Sequence, residues 1–245
     1  MRHGQKAARI AMRPWARPFL RAAMQTHNLA ERLMHVIVLA SQKGGAGKTT
    51  LSRHLAVQAE RVGDGPVVLI DADPQGGLAG WWNRRQADTP VFFASNLDDL
   101  PQHLTQAERG GFKLVIIDTP PQATALIRSV VRLANLVLIP TRPSPDDLDA
   151  VGRTIDIVED AGKPMVFVIN GATKNARITG QAAIALSQSG TVASPMIHHS
   201  VSFPTSGIDG RTVGELEASG NPAREIAELW TYVSVRLRKS AKVAA

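Results

Sequence analysis

The sequence predicts an α/β protein whose doubly wound, mostly parallel sheet is flanked by helices. Two observations support this fold class. Short, almost wholly apolar runs recur along the chain, as expected of strands that are buried on both faces. The mixed stretches between these runs are long enough to hold crossover helices. The runs are residues 36–40, 67–70, 114–117, 136–139 and 165–169.

The length of the chain fits one such domain. With 245 residues, of which 44% are hydrophobic, it can bury one substantial core, and we expect a single domain over residues 35–245. Residues 1–34 form a basic extension, because the first 33 residues hold seven Arg or Lys and one Glu. Two interpretations of the extension stay open: a disordered basic arm that contacts DNA or a partner, or a start that is mis-assigned upstream of Met34.

Composition excludes several classes of protein. The chain has no cysteine, which excludes disulfides, thiolate zinc sites and cysteine-ligated iron–sulfur clusters. No apolar run approaches the roughly 18 to 20 residues that span a bilayer. We therefore expect a soluble, cytoplasmic protein. The formal charge of +7 comes from the two termini, since four further basic residues lie from Arg236 onward.

The last segment predicts a helix over residues 222–238. An Asn-Pro pair marks its start, and apolar residues follow at helical spacing. We expect this stripe to pack on the sheet; a membrane-surface helix is the alternative, given the basic end. The stripe consists of Ile226, Leu229, Trp230, Val233 and Leu237.

The loop after the first strand predicts a phosphate-binding site. Its three glycines allow a tight turn whose backbone N–H groups surround phosphate oxygens at a helix N-terminus. Lys48 supplies a cation for the β- and γ-phosphates, and Thr49 supplies a hydroxyl for Mg²⁺. The loop reads Lys43, Gly44, Gly45, Ala46, Gly47, Lys48, Thr49 and Thr50.

Carboxylates follow two of the other strands. Asp71 and Asp73 leave the second run, and Asp118 leaves the third, in front of a Pro-Pro turn. The carboxyl ends of parallel strands meet at the edge where α/β sheets bind ligands. The sequence therefore predicts that Asp118 binds Mg²⁺ through its water shell, close to the phosphate loop.

Together these motifs resemble the ParA/MinD family of P-loop ATPases. The extra Lys43 matches the family's deviant Walker A signature, and residues 71–75 match its Asp-x-Asp-Pro-Gln stretch. The loop at 139–148 and the strand ending in Asn170 also match, so the resemblance covers about residues 35–235. Within the family, the paired Trp81 and Trp82, which we expect to be packing residues, look most like the small plasmid-partition ParA proteins without an N-terminal DNA-binding domain.

The resemblance implies a slow, partner-stimulated ATPase that uses ATP and Mg²⁺. By this likeness Lys43 reaches the nucleotide of a partner subunit across a homodimer, and Lys48 binds the nucleotide in its own subunit. Asp73 orients the attacking water, with Asp71 in support. Asn170 reads the adenine amino group, as an amide that both donates and accepts can do.

The implied cellular role is a positioning cycle. ATP drives dimerisation, the dimer binds DNA without sequence preference, and a ParB-like or other cargo adaptor triggers hydrolysis, so that plasmid or chromosomal DNA is segregated on the nucleoid. Cations that contact DNA phosphates are needed for such binding. The candidates are Lys174, Arg177, Arg211, Arg236, Arg238 and Lys239.

Other classes stay open as alternatives. A MinD-like membrane-cycling ATPase, an ATPase that positions protein clusters and a P-loop biosynthetic ligase would all use the same phosphate loop. A nitrogenase-type reductase would need cluster cysteines, and a bacterial tyrosine kinase usually carries a tyrosine cluster. The chain has no cysteine and Tyr232 is its one tyrosine, which disfavours both.

Overall fold

A computed structural model describes residues 34–95, 98–121 and 124–244. The predicted basic extension, residues 1–34, lies outside these ranges apart from Met34. Strands within the described ranges are β1 (His35–Leu39), β2 (Val67–Asp71), β3 (Val91–Ala94), β4 (Leu114–Asp118), β5 (Leu136–Thr141), β6 (Met165–Ala172), β7 (Thr191–Val192) and β8 (Ile197–His198). They form a parallel sheet in the order β3-β2-β4-β1-β5-β6-β7, and β8 pairs with β6.

Helices connect the strands and cover both faces of the sheet. In the described ranges they are α1 (Lys48–Arg61), α2 (Gly77–Arg84), α3 (Leu100–Arg109), α4 (Thr124–Val131), α5 (Pro145–Asp160), α6 (Arg177–Ser187), α7 (Ser202–Ser206), α8 (Val213–Leu216) and α9 (Asn221–Ala244). The predicted doubly wound, mostly parallel fold is therefore confirmed.

Strand β1 lies at the centre of the sheet and shows why its sequence is apolar throughout. It pairs with β4 on one side and β5 on the other. Successive side chains of a strand point to opposite faces. Ile37 and Leu39 join the core under α1 and α9, whereas Val36 and Val38 join the core under α4 and α5. Central placement brings the loop after β1 to the middle of the carboxyl edge.

All five predicted strands are present. The largest boundary difference is at β6, which extends to Ala172 rather than ending at residue 169. The sequence did not predict β3, β7 and β8. Each of these is short and has at least one residue that is not fully buried, so none forms the continuous apolar run on which the predictions rested.

The terminal helix α9 packs on the sheet, as expected. All five residues of its apolar stripe are buried in the core, so the stripe is covered by the fold rather than presented to a lipid surface. Trp81 and Trp82 are also buried, which confirms their packing role. Among the described residues, no helix has the length and apolar character to cross a membrane.

Candidate nucleotide-binding site

The phosphate loop joins the end of β1 to the start of α1. Gly47 has φ 104° at the start of the helix, a left-handed conformation that favours glycine. A Cβ atom at this position would also collide with the amide of Asn170. The loop thus approaches β6 closely because position 47 lacks a side chain, and α1 directs its first N–H groups at the cleft.

Lys48 lies in the floor of the site. Its Nζ donates to the carbonyl oxygen of Ser41 at 2.9 Å, so the ammonium folds back along the loop. Burial lowers the pKa of Lys48, and the nearby carboxylates of Asp118 and Asp73 oppose that shift. A phosphate chain bound here would supply further anionic partners for this buried cation.

Asp118 and Thr49 meet beside Lys48. The Thr49 hydroxyl donates to Asp118 Oδ2 at 2.5 Å. The other oxygen, Oδ1, is buried and has no hydrogen-bond partner among the described residues. Burial raises the pKa of Asp118 to about 7, and the negative charges of Asp71 and Asp73 add to the rise.

These oxygens fit Mg²⁺. Carboxylate and hydroxyl oxygens are the donors that this hard cation prefers. The buried Asp118 Oδ1 lacks a protein partner, and a nearby cation would favour the ionised carboxylate that burial disfavours. Thr49 and Asp118 are therefore the residues that would hold the ion, which would neutralise charge on the phosphates.

The two acids after β2 differ in their surroundings. Asp71 is buried, and its oxygens accept the N–H groups of Asp73 at 3.0 Å and Ala79 at 2.9 Å. It therefore fixes the loop and the first turn of α2. Asp73 is half-buried and lines the cleft, where its Oδ1 accepts the N–H of Gln75 at 2.9 Å. Asp71 thus supports the loop, and Asp73 faces the cleft; their catalytic roles remain predictions.

A cleft of about 680 Å³ opens above the loop, within the usual range for small-molecule sites. Of the predicted nucleotide-site residues, Gly44, Gly45, Gly47, Lys48, Thr49, Thr50, Asp73 and Asn170 line it. Lys43, Ala46, Asp71 and Asp118 adjoin this set without lining the cleft. One connected cavity thus joins the glycine loop, the β2 carboxylate and the end of β6.

Asn170 contacts the phosphate loop directly. Its Nδ2 donates to the carbonyl oxygen of Ala46 at 2.8 Å. The amide therefore supports the loop across the sheet edge. Its predicted contact with the adenine amino group remains a prediction.

Sequence reasoning missed one end of the cleft. It is lined by Arg142, by His198 of β8 and by the segment after β8, including His199, Phe203 and Pro204. Arg142 stands in a loop that the sequence marked, but nothing in the pattern assigned it a role. The segment after β8 follows a two-residue strand and carries no motif, so no sequence signal pointed to it.

This end of the cleft is held in place by contacts with α1 and α9. Glu225 of α9 accepts the backbone N–H of His198 at 3.0 Å, and its other oxygen lies 2.8 Å from the His198 Nδ1. The ring of Phe203 packs edge-on against His54 of α1, with centroids 5.1 Å apart. Two helices thus fix the wall opposite the phosphate loop.

The predicted DNA-contact residues lie in three segments of the chain: after β6, before α8 and near the end of α9. Lys174 and Arg177 are exposed just after β6, and Lys239 is exposed near the end of α9. Arg211 pairs with Asp209 at 2.8 Å and Arg238 with Asp64 at 3.2 Å. Arg236 lies 3.9 Å from the ring centroid of Tyr232. Nothing in these positions tests DNA contact, and the six assignments remain predictions.

Comparison with known proteins agrees with this geometry. Residues 37–213 match the family described as the CobQ/CobB/MinD/ParA nucleotide binding domain. The chain is 29% identical over 211 residues to the maintenance of carboxysome distribution protein A of Halothiobacillus neapolitanus, covering 80% of this chain and 94% of that protein. It is 30% identical over 129 residues to protein ParA of Rhizobium radiobacter, covering 52% of this chain and 57% of that protein.

A solved structure shows the same fold. An ATP complex of a Cyanothece McdA variant superimposes with a TM-score of 0.66 at 18% identity, covering 84% of this chain and 96% of that one. The fold and the glycine loop define a P-loop nucleotide-binding protein. The chain belongs to the CobQ/CobB/MinD/ParA nucleotide-binding family. It is a ParA/MinD-type ATPase, and its cofactors are ATP and Mg²⁺.

Proposed function

We propose that this chain is an ATP-driven dimer that binds DNA without sequence preference and positions a cargo through an adaptor protein. The observation that carries the proposal is the cleft: Lys48, Thr49 and Asp73 line it, Asp118 accepts a hydrogen bond from Thr49 behind it, and Lys43 adjoins it. ATP hydrolysis then acts as a timer, since a slow enzyme holds the dimer until the adaptor triggers release.

Lys43 is the residue we assign to the dimer. Its backbone N–H donates to Ser41 Oγ at 3.3 Å, which anchors the main chain, and the half-buried side chain lies beside the glycine loop. A cation that reaches the phosphates of a second subunit stabilises charge there, as an arginine finger does. Dimerisation and ATP binding would then depend on one another.

Asp73 is the residue we assign to the attacking water. It lines the cleft together with Thr49 and Lys48, and a carboxylate can accept a hydrogen bond from water. The hydrogen bond from Gln75 N–H to Asp73 Oδ1 restrains the carboxylate. Turnover in this scheme is slow and accelerates when the adaptor binds.

The DNA-binding surface in this proposal centres on Lys174 and Arg177. Both are exposed at the carboxyl edge of the sheet, and neither has an ion-pair partner among the described residues. Arg236, Arg238 and Lys239 lie near the end of α9, where Arg238 pairs with Asp64 of the loop before β2, so they would form a separate basic surface. Arg211 already pairs with Asp209, which reduces its expected contribution.

The cargo is either DNA or a protein assembly. The Halothiobacillus relative, whose length the chain covers to 94%, is named for carboxysome distribution. A ParA of Caulobacter vibrioides, covered to 67%, is named for chromosome partitioning. The Halothiobacillus relative is covered over more of its length, so we favour a function in which the protein binds the nucleoid in the cytoplasm and positions a protein assembly along it. Segregation of a plasmid or chromosome with a ParB-like partner is the second candidate.

The test is binding of the purified protein to a random-sequence duplex, with no nucleotide, ADP or ATP, at low and at physiological salt. We expect binding only with ATP, and we expect it to weaken steeply with salt because phosphate contacts release counterions. Lys43→Ala should abolish it. Lys163→Ala is the matched control, since Lys163 precedes β6 at the opposite edge of the sheet.

The outcomes separate the candidate functions. Equal DNA binding by wild type and Lys43→Ala would refute the dimer role of Lys43. No DNA binding in any nucleotide state would refute the nucleoid track and favour membrane cycling, which lipid-vesicle sedimentation with ATP would detect. Turnover that requires an organic substrate and ignores DNA would favour a biosynthetic enzyme of the CobQ/CobB type, which belongs to the same family.

A further inference from the structure

Arg142 occupies a fixed position at the carboxyl edge of the sheet. It follows Thr141, the last residue of β5, which pairs with Ile169 of β6. The carbonyl of Arg142 accepts the N–H of Ser144 at 2.9 Å. Its backbone is therefore anchored one strand away from β1, whose loop binds phosphate.

The side chain of Arg142 runs between two glycines. A Cβ atom built on Gly45 would lie 3.6 Å from the Arg142 Nη2, and one built on Gly171 would lie 3.9 Å from the Arg142 Cγ. Gly45 belongs to the phosphate loop, and Gly171 lies near the end of β6. The guanidinium thus lies beside the phosphate loop, and a side chain at either glycine position would contact it.

The guanidinium has donors to offer. Arg142 is exposed and lines the cleft that Lys48, Thr49 and Asp73 also line. No described residue forms an ion pair or hydrogen bond with its side chain. A guanidinium carries five N–H donors in a planar fork that matches the oxygens of a phosphate. A guanidinium in this place can bind an anionic ligand, and the phosphate loop that lines the same cleft is where the nucleotide's phosphates would lie.

We propose that Arg142 is a phosphate-binding residue of the nucleotide site, a second cation supplied from the loop between β5 and α5. Lys48 contributes a point charge from the floor of the cleft, whereas Arg142 contributes a forked donor from its rim. The proposal rests on the ATP-binding part of the proposed function. It does not depend on DNA or on the cargo.

The test measures affinity for ATP and, by competition with a fluorescent ATP analogue, for adenosine. The proteins are the full chain, Arg142→Gln, Arg142→Lys and the control Arg109→Gln, since Arg109 is exposed at the end of α3 away from the cleft. Arg142→Gln should weaken ATP binding about tenfold, the value of one charge-assisted hydrogen bond. Adenosine affinity should not change, Arg142→Lys should lie between, and Arg109→Gln should match wild type.

Two results would overturn the role of Arg142. ATP affinity of Arg142→Gln within twofold of wild type would show that the guanidinium does not contact the phosphates. Equal losses for ATP and adenosine would show that Arg142 shapes the wall of the cleft instead. Failure of the wild type to bind ATP would refute the proposed function itself, whereas loss of DNA binding alone would leave the Arg142 result untouched.

Discussion

Two parts of the nucleotide cleft differ in their construction. The floor consists of Lys48 and Thr49 with Asp118 behind them, and the rim consists of Arg142, Asp73, His198 and Phe203. In the floor, Lys48 and Asp118 are 6% and 1% exposed, and Thr49 links Asp118 to the start of α1. At the rim, Arg142 is exposed and Asp73 half-buried. The floor is pre-arranged within one chain, which is how electrostatic stabilisation avoids reorganisation during a reaction. The charged side chains of the rim, Arg142 and Asp73, would find their binding partners in a bound nucleotide and its attacking water.

Burial raises the free energy of the charged forms of the floor residues Lys48 and Asp118. Burial shifts the pKa of Lys48 downwards and that of Asp118 upwards, so both charged forms are disfavoured in the empty cleft. Bound phosphates and Mg²⁺ offset those penalties, because each supplies the opposite charge. Mg·ATP should therefore stabilise the fold by an amount that grows with the logarithm of its concentration divided by its Kd, and changes in the floor should affect binding more than changes at the rim.

The largest effect is expected for Lys48→Met, which removes the floor cation but keeps an apolar stem of similar length. Loss of one partner from a buried charge pair costs about 3–5 kcal/mol, so ATP affinity should fall about a thousandfold. Calorimetric titration with Mg·ATP checks this. Thermal melts without nucleotide check that the variant folds, and ATP affinity within tenfold of wild type would contradict the assignment of the floor.

The next effect concerns the rim carboxylate and hydrolysis. Asp73→Asn keeps an oxygen that can accept the Gln75 N–H and removes the charge that we propose orients the water. Single-turnover hydrolysis should slow about a hundredfold while ATP binding persists and the protein stalls as a dimer. Asp73→Ala should behave in the same way. Wild-type hydrolysis by Asp73→Asn would reduce Asp73 to a loop-shaping residue.

A third effect concerns the contact between helix α1, which begins at Lys48 of the floor, and Phe203 of the rim. His54 of α1 is buried against Phe203 of the rim, with its Nδ1 2.7 Å from the Thr50 carbonyl oxygen. Burial, reinforced by the positive charge of Arg53, lowers the pKa of His54 to about 3. Below the unfolded-state pKa of about 6.5, the unfolded chain takes up a proton that the folded chain does not. Stability is therefore lost as pH falls from about 6.5 towards 3.

Urea denaturation at pH 7 and pH 5 checks this coupling. The His54 contribution to the loss of unfolding free energy over that interval should be about 2 kcal/mol. Because other groups titrate as well, the comparison is with His54→Leu, which should lose about 2 kcal/mol less than wild type over the same interval. An identical pH dependence of the two proteins would show that His54 takes up its proton at the same pH in the folded and the unfolded chain.

The sequence predicted the floor well because two strong patterns define it. Strands that are buried on both faces must be apolar throughout, and this condition marked β1, β2, β4, β5 and β6. The glycine loop and the strand-end carboxylates lie at fixed distances from those strands. Residues such as Lys48, Thr49 and Asp118 were therefore identified before any geometry was known.

Apart from Asp73, the rim could not be predicted in the same way. The same holds for strand β3 at the sheet edge, which has no fully buried residue and so forms no distinctive run. His198 and Phe203 enter the cleft through a wall that Glu225 and His54 hold from distant parts of the chain. The position of Arg142 beside Gly45 is likewise a tertiary contact. Such contacts depend on three-dimensional packing and leave no local pattern.

The smallest effect is expected for Asn170, which links the two regions. Because its Nδ2 donates to the Ala46 carbonyl, Asn170→Ala should loosen the phosphate loop by the value of one hydrogen bond, about 1 kcal/mol. ATP and GTP affinities should then both fall about fivefold, whereas the exposed control Gln102→Ala should change neither. If only the affinity for ATP fell, Asn170 would instead recognise the adenine base and would not act mainly by supporting the loop.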